Sequence, residues 1–183
     1  MWEYVYADEL YHHGVKGMKW GKRKARLERR SERKYRKAGH LQGRSDYYKG
    51  LGDEAVRKHE HSAKLFDAQA KKFDKAGSIW RAEASRKAAE ALRQRGANQK
   101  ASQDAIASRL ERRANKMTEK ASAYATKKRV DLGKKRIDAI LAEGKQKGYD
   151  RAKTNDTYWK EKQTRETLGD GGYRVYNKIR GIS

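Results

Sequence analysis

Five histidines are the residues of this 183-residue chain best suited to metal or acid–base chemistry: the adjacent His12 and His13, then His40, His59 and His61. A zinc site needs about three or four convergent ligands, often with further groups fixing the rings. Cysteine is absent, and no HExxH or Cys/His spacing is present. The histidines therefore read as capping or partner-contacting groups, and no metal is assigned. Catalysis has no better foothold. Carboxylates are interspersed with Lys and Arg at helical spacing, which i to i+4 pairing on an exposed face explains, and no nucleophile–base–orienter set stands out. The run Leu168-Gly169-Asp170-Gly171-Gly172 is not a phosphate-binding loop, since no strand precedes it and no Gly-Lys-Ser/Thr follows. No catalytic residue and no cofactor are assigned, and an enzyme is not expected.

What remains is charge. The chain holds 47 Lys or Arg against 24 Asp or Glu, a formal net charge of +23. Between Val15 and Lys49 fourteen cations face only Glu28, Glu32 and Asp46, a net +11 in under a fifth of the chain. Such a block repels itself and calls for a neutralising partner. Lys22, Arg23, Lys24, Arg26, Arg29, Arg30, Arg33, Lys34, Arg36 and Lys37 are the candidate nucleic-acid contacts. They surround a helix instead of lining one face, and no recognition-helix or zinc-finger pattern accompanies them. The expected mode is non-specific backbone binding that falls steeply with salt. An acidic protein partner or a plain solvated face would use the same residues.

Residues 1–21 differ from the rest. They contain two of the four tryptophans and the run Tyr11-His12-His13-Gly14-Val15-Lys16-Gly17-Met18-Lys19-Trp20-Gly21. Three glycines in eight residues argue against continuous helix. Lys16, Lys19 and Trp20 could meet phosphates and stack on a base, but Trp and Met are also favoured where a short segment docks on protein. Tyr11–Gly21 resembles the His-His-Gly-(Val/Ile)-Lys-Gly-(Met/Gln)-Lys-Trp-Gly signature found near one end of many structural proteins of tailed bacteriophages and prophages. The resemblance covers about a dozen residues, after which this chain runs directly into Lys22-Arg23-Lys24-Ala25-Arg26. It implies a virion setting; with the aromatic and basic composition of the segment, Tyr11, His12, His13, Gly14, Lys16, Gly17, Met18, Lys19 and Trp20 are the candidate docking residues.

The elements that position these groups are expected to be helices. Leu, Ile, Val and Phe number only 23, whereas Ala supplies 24 residues and Pro none. Ala is the best helix former, and so little large apolar surface builds no thick core. From Val56 to Ala91 a 3–4 spacing alternates small Ala63, Ala70, Gly77, Ala84 and Ala91 with Phe66, Phe73 and Trp80, the spacing of a coiled-coil seam. Ala107, Leu110, Ala114, Met117, Ala121 and Tyr124 repeat it, with Gly96 as a stop and Ser102 as an N-cap between. This predicts an antiparallel hairpin, 53–95 against 103–128, with its tip near 96–102. Val130, Gly133, Ile137, Ile140 and Gly144 keep the spacing and would extend the second arm. The seam candidates are Ala63, Phe66, Ala70, Phe73, Trp80, Ala84, Leu110, Met117 and Tyr124.

The fold expected is all-α: an extended helical hairpin or coiled-coil-like rod with a non-helical N-terminal docking segment. Its parts would be a docking segment at 1–21, a basic helix at 22–50, the hairpin at 51–146 and a polar C-terminal helix or tail at 147–183. No apolar run reaches the roughly 20 residues of a membrane span. Met1–Tyr6 lacks the basic and apolar stretches of a secretion signal, so synthesis in a host bacterial cytoplasm is expected. The function expected is that of a minor virion protein, internal or ejected with the genome. Its partners would be capsid, portal or tail components, further copies of itself, and DNA contacted non-specifically. The alternatives are a cytoplasmic non-specific nucleic-acid-binding protein or a phage-packaged effector.

Overall fold

The computed structural model describes residues 15–179, and among them the chain is all-α. Helix α1 spans Val15–Lys75, α2 spans Ile79–Lys127 and α3 spans Lys134–Ile179. At 1.5 Å per residue α1 is about 90 Å long. It is the spine: α2 runs back along it antiparallel, and α3 runs beside its N-terminal half in parallel, from Glu32–Arg136 to Tyr47–Asp156. The backbones of α2 and α3 both pack on α1 and stay apart from each other. No helix among the described residues is long and apolar enough to cross a membrane.

The α1–α2 seam is built from small residues repeating every seventh position, with one step of eleven on each helix. Ser31, Ala38, Ser45 and Gly52, then Ala63 and Ala70, are buried on α1; Ala82, Ala89 and Gly96, then Ala107, Ala114 and Ala121, are buried on α2. Side chains this short let the two backbones approach closely. Ser45 Oγ donates to the Ala107 carbonyl at 3.0 Å, so its buried hydroxyl is satisfied. Ion pairs flank the seam. Arg93 reaches Glu60 at 3.1 Å and Asp67 at 2.5 Å, Lys100 reaches Asp53 at 2.6 Å, and Lys49 reaches Glu111 at 2.5 Å.

Several expectations change here. The hairpin turns at 76–78, not at 96–102. Gly77 has φ +70°, the Gly77 N–H donates to Asp74 O, and the Ser78 N–H donates to Phe73 O, which is the Schellman ending of a helix. Gly96 is no stop; it is buried in α2, where a Cβ would stand 3.0 Å from His59 Cβ. The reversal at Gly77 also resets the seam's phase. Beyond it Trp80 and Ala84 are exposed, and Ala82, Ser85 and Ala89 face α1 instead, while Leu110 is buried and Met117 and Tyr124 are half-buried. On α1, before the reversal, Ala63 and Ala70 are buried and Phe73 half-buried, but Phe66 is exposed because the close approach at the small positions leaves its larger side chain at the margin. Nor does the second arm run on to residue 145. It ends at Lys127 in a second Schellman turn, with Arg129 at φ +50° and Val130 N–H donating to Ala125 O. Gly133 (φ +68°) then opens into α3. Residues 15–21 are the first turns of α1, so the helix passes through the boundaries drawn at 21/22 and 50/51. Residues 1–14 lie outside the described residues.

Helix α3 meets α1 where neither has side chains. A Cβ at Gly39 would lie 2.3 Å from Leu141 O and one at Gly43 1.8 Å from Lys145 O; reciprocally, a Cβ at Gly144 would lie 2.5 Å from Arg36 O and one at Gly148 2.1 Å from His40 O. Two Gly-x-x-x-Gly steps therefore interlock backbone to backbone. Below the crossing, Tyr35, Ala121, Val130, Leu132 and Ile140 form a buried cluster joined by Leu27, Ala125, Ile137 and Leu141. Above it, Tyr47 donates to Asp156 at 2.7 Å and stacks edge-on with Tyr149. A break at Gly169 (φ +65°, ψ 171°) interrupts α3, where the Leu168–Gly172 run punctuates the sequence.

His40 sits in this crossing. Burial, then the nearby Arg151 and Arg44, hold its imidazole below the usual value of 6.5. The unfolded chain therefore binds the proton more readily than the fold, so stability is full above pH 6.5 and declines as pH falls from there through the lowered folded-state value. Urea titrations at pH 7.5 and 5.5 should show a lower midpoint at the acid pH, and His40→Gln should shrink that difference. Equal midpoints for the native sequence at the two pH values would refute the assignment.

Candidate nucleic-acid interface

The candidate site is built on the first turns of α1 and on the turn that joins α2 to α3. Lys22, Arg23, Lys24, Arg26, Arg29, Arg30, Arg33 and Lys37 are exposed, whereas Leu27 and Ser31 face inward to the packed side. Lys22, Ala25, Arg26, Arg29, Arg30 and Arg33 line one shallow open groove along the helix. From Lys22 to Arg33 the rise is about 16 Å, the axial span of about five phosphates on one DNA strand. The cations thus gather more on one face than a helix surrounded by charge would require.

Local neutralisation is slight. Glu28 and Glu32 are the only acids between residues 22 and 37, and Glu32 is taken by Arg136 of α3. Arg36 pairs with Glu143 at 3.4 Å, and Lys34 lies 4.8 Å above the Tyr124 ring. These two of the ten candidates are therefore partly committed to packing. Lys22, Lys24, Arg26, Arg29, Arg30, Arg33 and Lys37 make no ion pair among the described residues.

The fold adds cations that are not among these ten candidates. Val130 and Leu132 pack into the cluster that holds Leu27 and Tyr35, which brings the α2–α3 turn to the arm's end of the rod. Lys127, Lys128 and Arg129, with Lys134 and Lys135, are exposed on it. Asp131 accepts a hydrogen bond from the Gly133 N–H at 2.8 Å and so serves the turn itself. The two triplets Lys127-Lys128-Arg129 and Lys134-Lys135-Arg136 were visible as charge runs, but a second arm continuing through them would have placed them along the rod.

Of the docking residues, Tyr11, His12, His13 and Gly14 lie outside the described residues, and Lys16, Gly17, Met18, Lys19 and Trp20 fall in the opening turns of α1. His40, His59 and His61 do not converge. His59 Nε2 lies 3.2 Å from Gln99 Oε1 across the seam, His40 is at the glycine crossing, and His61 is exposed. Among the described residues no group of three or more His, Asp or Glu could hold a metal ion.

A family of unknown function (DUF7211) has a model that matches residues 4–27, a stretch that contains Tyr11–Gly21 and enters the basic arm. No curated protein and no solved structure matches the chain.

Proposed function

We propose that this protein is a minor structural component of a tailed-phage virion, held by its N-terminal signature, with its basic end laid against packaged DNA. One observation carries the DNA contact: exposed cations from α1 and from the α2–α3 turn gather at one end of a long rod, with few acids among them. A flexible arm would have to be ordered when it binds, whereas here the groove of Lys22, Arg26, Arg29, Arg30 and Arg33 is already held on a helix, which lowers the entropy lost on binding. The virion setting rests on the Tyr11–Gly21 resemblance. Among the described residues no base-reading element accompanies the groove, so the binding proposed is to backbone and indifferent to sequence.

Two measurements test the reading. Mass spectrometry of purified particles should find the protein, and Trp20→Ala should remove it from particles while leaving helicity unchanged. Absence of the native protein from particles would overturn the virion role. Binding to unrelated duplexes should be equal and should weaken about 10³-fold or more between about 50 and 200 mM salt, the fall for six or more phosphate contacts. Binding that ignores salt would overturn the DNA role.

A further inference from the structure

At the end of the rod opposite the basic arm, the hairpin turn presents large apolar side chains to solvent. Ile79 is 77% exposed and Trp80 71% exposed, directly after Gly77 and Ser78. Phe73, half-buried on the last turn of α1, sits beside them, and the Arg81 guanidinium lies 5.9 Å from its ring and 5.5 Å from that of Trp80. Neither Ile79 nor Trp80 takes part in the seam, which on α2 begins at Ala82. A chain this poor in large apolar residues places two of them, adjacent, at the extreme tip of a long rod.

The charges around the tip decide what would cover it. Asp74 is paired with Arg86 at 2.5 Å and Glu83 with Lys87 at 3.0 Å. Lys71, Lys72, Lys75 and Arg81 have no such counter-charge among the described residues. The surface is thus an apolar wedge ringed by unneutralised cations. A tip-to-tip contact with a second copy would bring two such rings together and is opposed by their repulsion. Nucleic acid would use the Trp80 ring but leave Ile79 without a base face or hydrogen bond to meet. A bilayer with anionic headgroups satisfies both parts. Trp is favoured at the headgroup level, Ile enters the acyl boundary, and Lys side chains lay their methylenes along apolar surface while their charged ends stay among phosphates.

We propose that the hairpin tip is a docking surface for an anionic phospholipid bilayer, entered by Ile79 and Trp80 and held by Lys71, Lys72, Lys75 and Arg81. The contact is peripheral and reversible, since one short wedge buries far less apolar surface than a spanning helix. It is separate from the DNA contact, which lies at the other end of α1.

Flotation with vesicles of phosphatidylglycerol mixed with phosphatidylcholine tests it. The full-length protein should float with these vesicles and not with phosphatidylcholine alone. Joint replacement Ile79→Ser and Trp80→Ser should reduce the floated fraction about tenfold or more, with an unchanged far-ultraviolet spectrum and unchanged DNA binding. Because the basic arm also attracts anionic surfaces, Arg26, Arg29, Arg30 and Arg33 changed together to Glu provide the comparison, and that variant should still float. A protein retaining Trp80 as its only tryptophan should show blue-shifted emission on the mixed vesicles. Undiminished flotation of the tip variant, flotation that follows only the arm, equal binding to neutral vesicles, or emission that does not move would each overturn the proposal.

Discussion

Gly43→Val should detach α3 from α1. A Cβ at this position would stand 1.8 Å from Lys145 O and 2.8 Å from Tyr149 N. Both are backbone atoms, so no rotamer change relieves the clash, and the branched side chain adds two further methyls. Overpacking of this kind costs about 3 kcal/mol or more, which for a chain of this size lowers the melting temperature by roughly 6–12 °C. The damage should be selective. α2 packs on α1 through Ser45, Gly52, Ala63 and their partners, and none of those contacts needs α3. Limited proteolysis of the variant should therefore cut within residues 134–160 first and leave a protected α1–α2 fragment. Gly148→Val, whose Cβ would meet His40 O at 2.1 Å, should give the same fragment. A native cleavage pattern and melting temperature for both would mean that the helices do not cross at these glycines.

The second large effect belongs to the basic groove. Changing Arg26, Arg29, Arg30 and Arg33 together to Glu should reduce duplex affinity about 100-fold or more at low salt, and should lower the slope of log affinity against log salt by about 3–4 units. All four side chains are exposed, so the fold should survive and the circular dichroism spectrum should be native. The loss should be the same for any duplex sequence. Affinity and slope within twofold of the native values would show that the groove is a solvated face with no phosphate contact.

The small-residue seam was legible because its period is physical. Ala63, Ala70, Ala107, Ala114 and Ala121 recur at seven and are buried as their spacing requires. Exposure of the cations at 22–33 was equally legible, since long charged side chains keep their ends in water. What sequence could not supply was the meaning of each glycine. Gly77, Gly96 and Gly43 all stand among polar neighbours in helix-forming sequence. The first is a left-handed helix end, the second admits His59, and the third admits a backbone about a hundred residues away. The absence of a side chain signals a turn or a close approach alike, and only the partner decides. The 3–4 count from Val56 to Ala91 runs unbroken through a reversal of the chain, which is why Trp80 and Ala84 were placed in the seam while Ala82 and Ala89 were not. The basic α2–α3 turn was missed for the same reason, because its position depended on where the hairpin folds.

An alanine repeated at equal intervals on two facing helices fits equally well after either is displaced by one heptad. The regularly spaced alanines alone are therefore indifferent to alignment. Several features break the degeneracy: Gly77, which permits only one place for the reversal; Gly96, whose missing side chain admits His59; and the ion pairs of Arg93 with Glu60 and Asp67, Lys100 with Asp53 and Lys49 with Glu111. Screening by concentrated salt weakens the ion pairs and spares the glycines, so under such conditions two missing side chains, at Gly77 and Gly96, carry the choice between competing alignments.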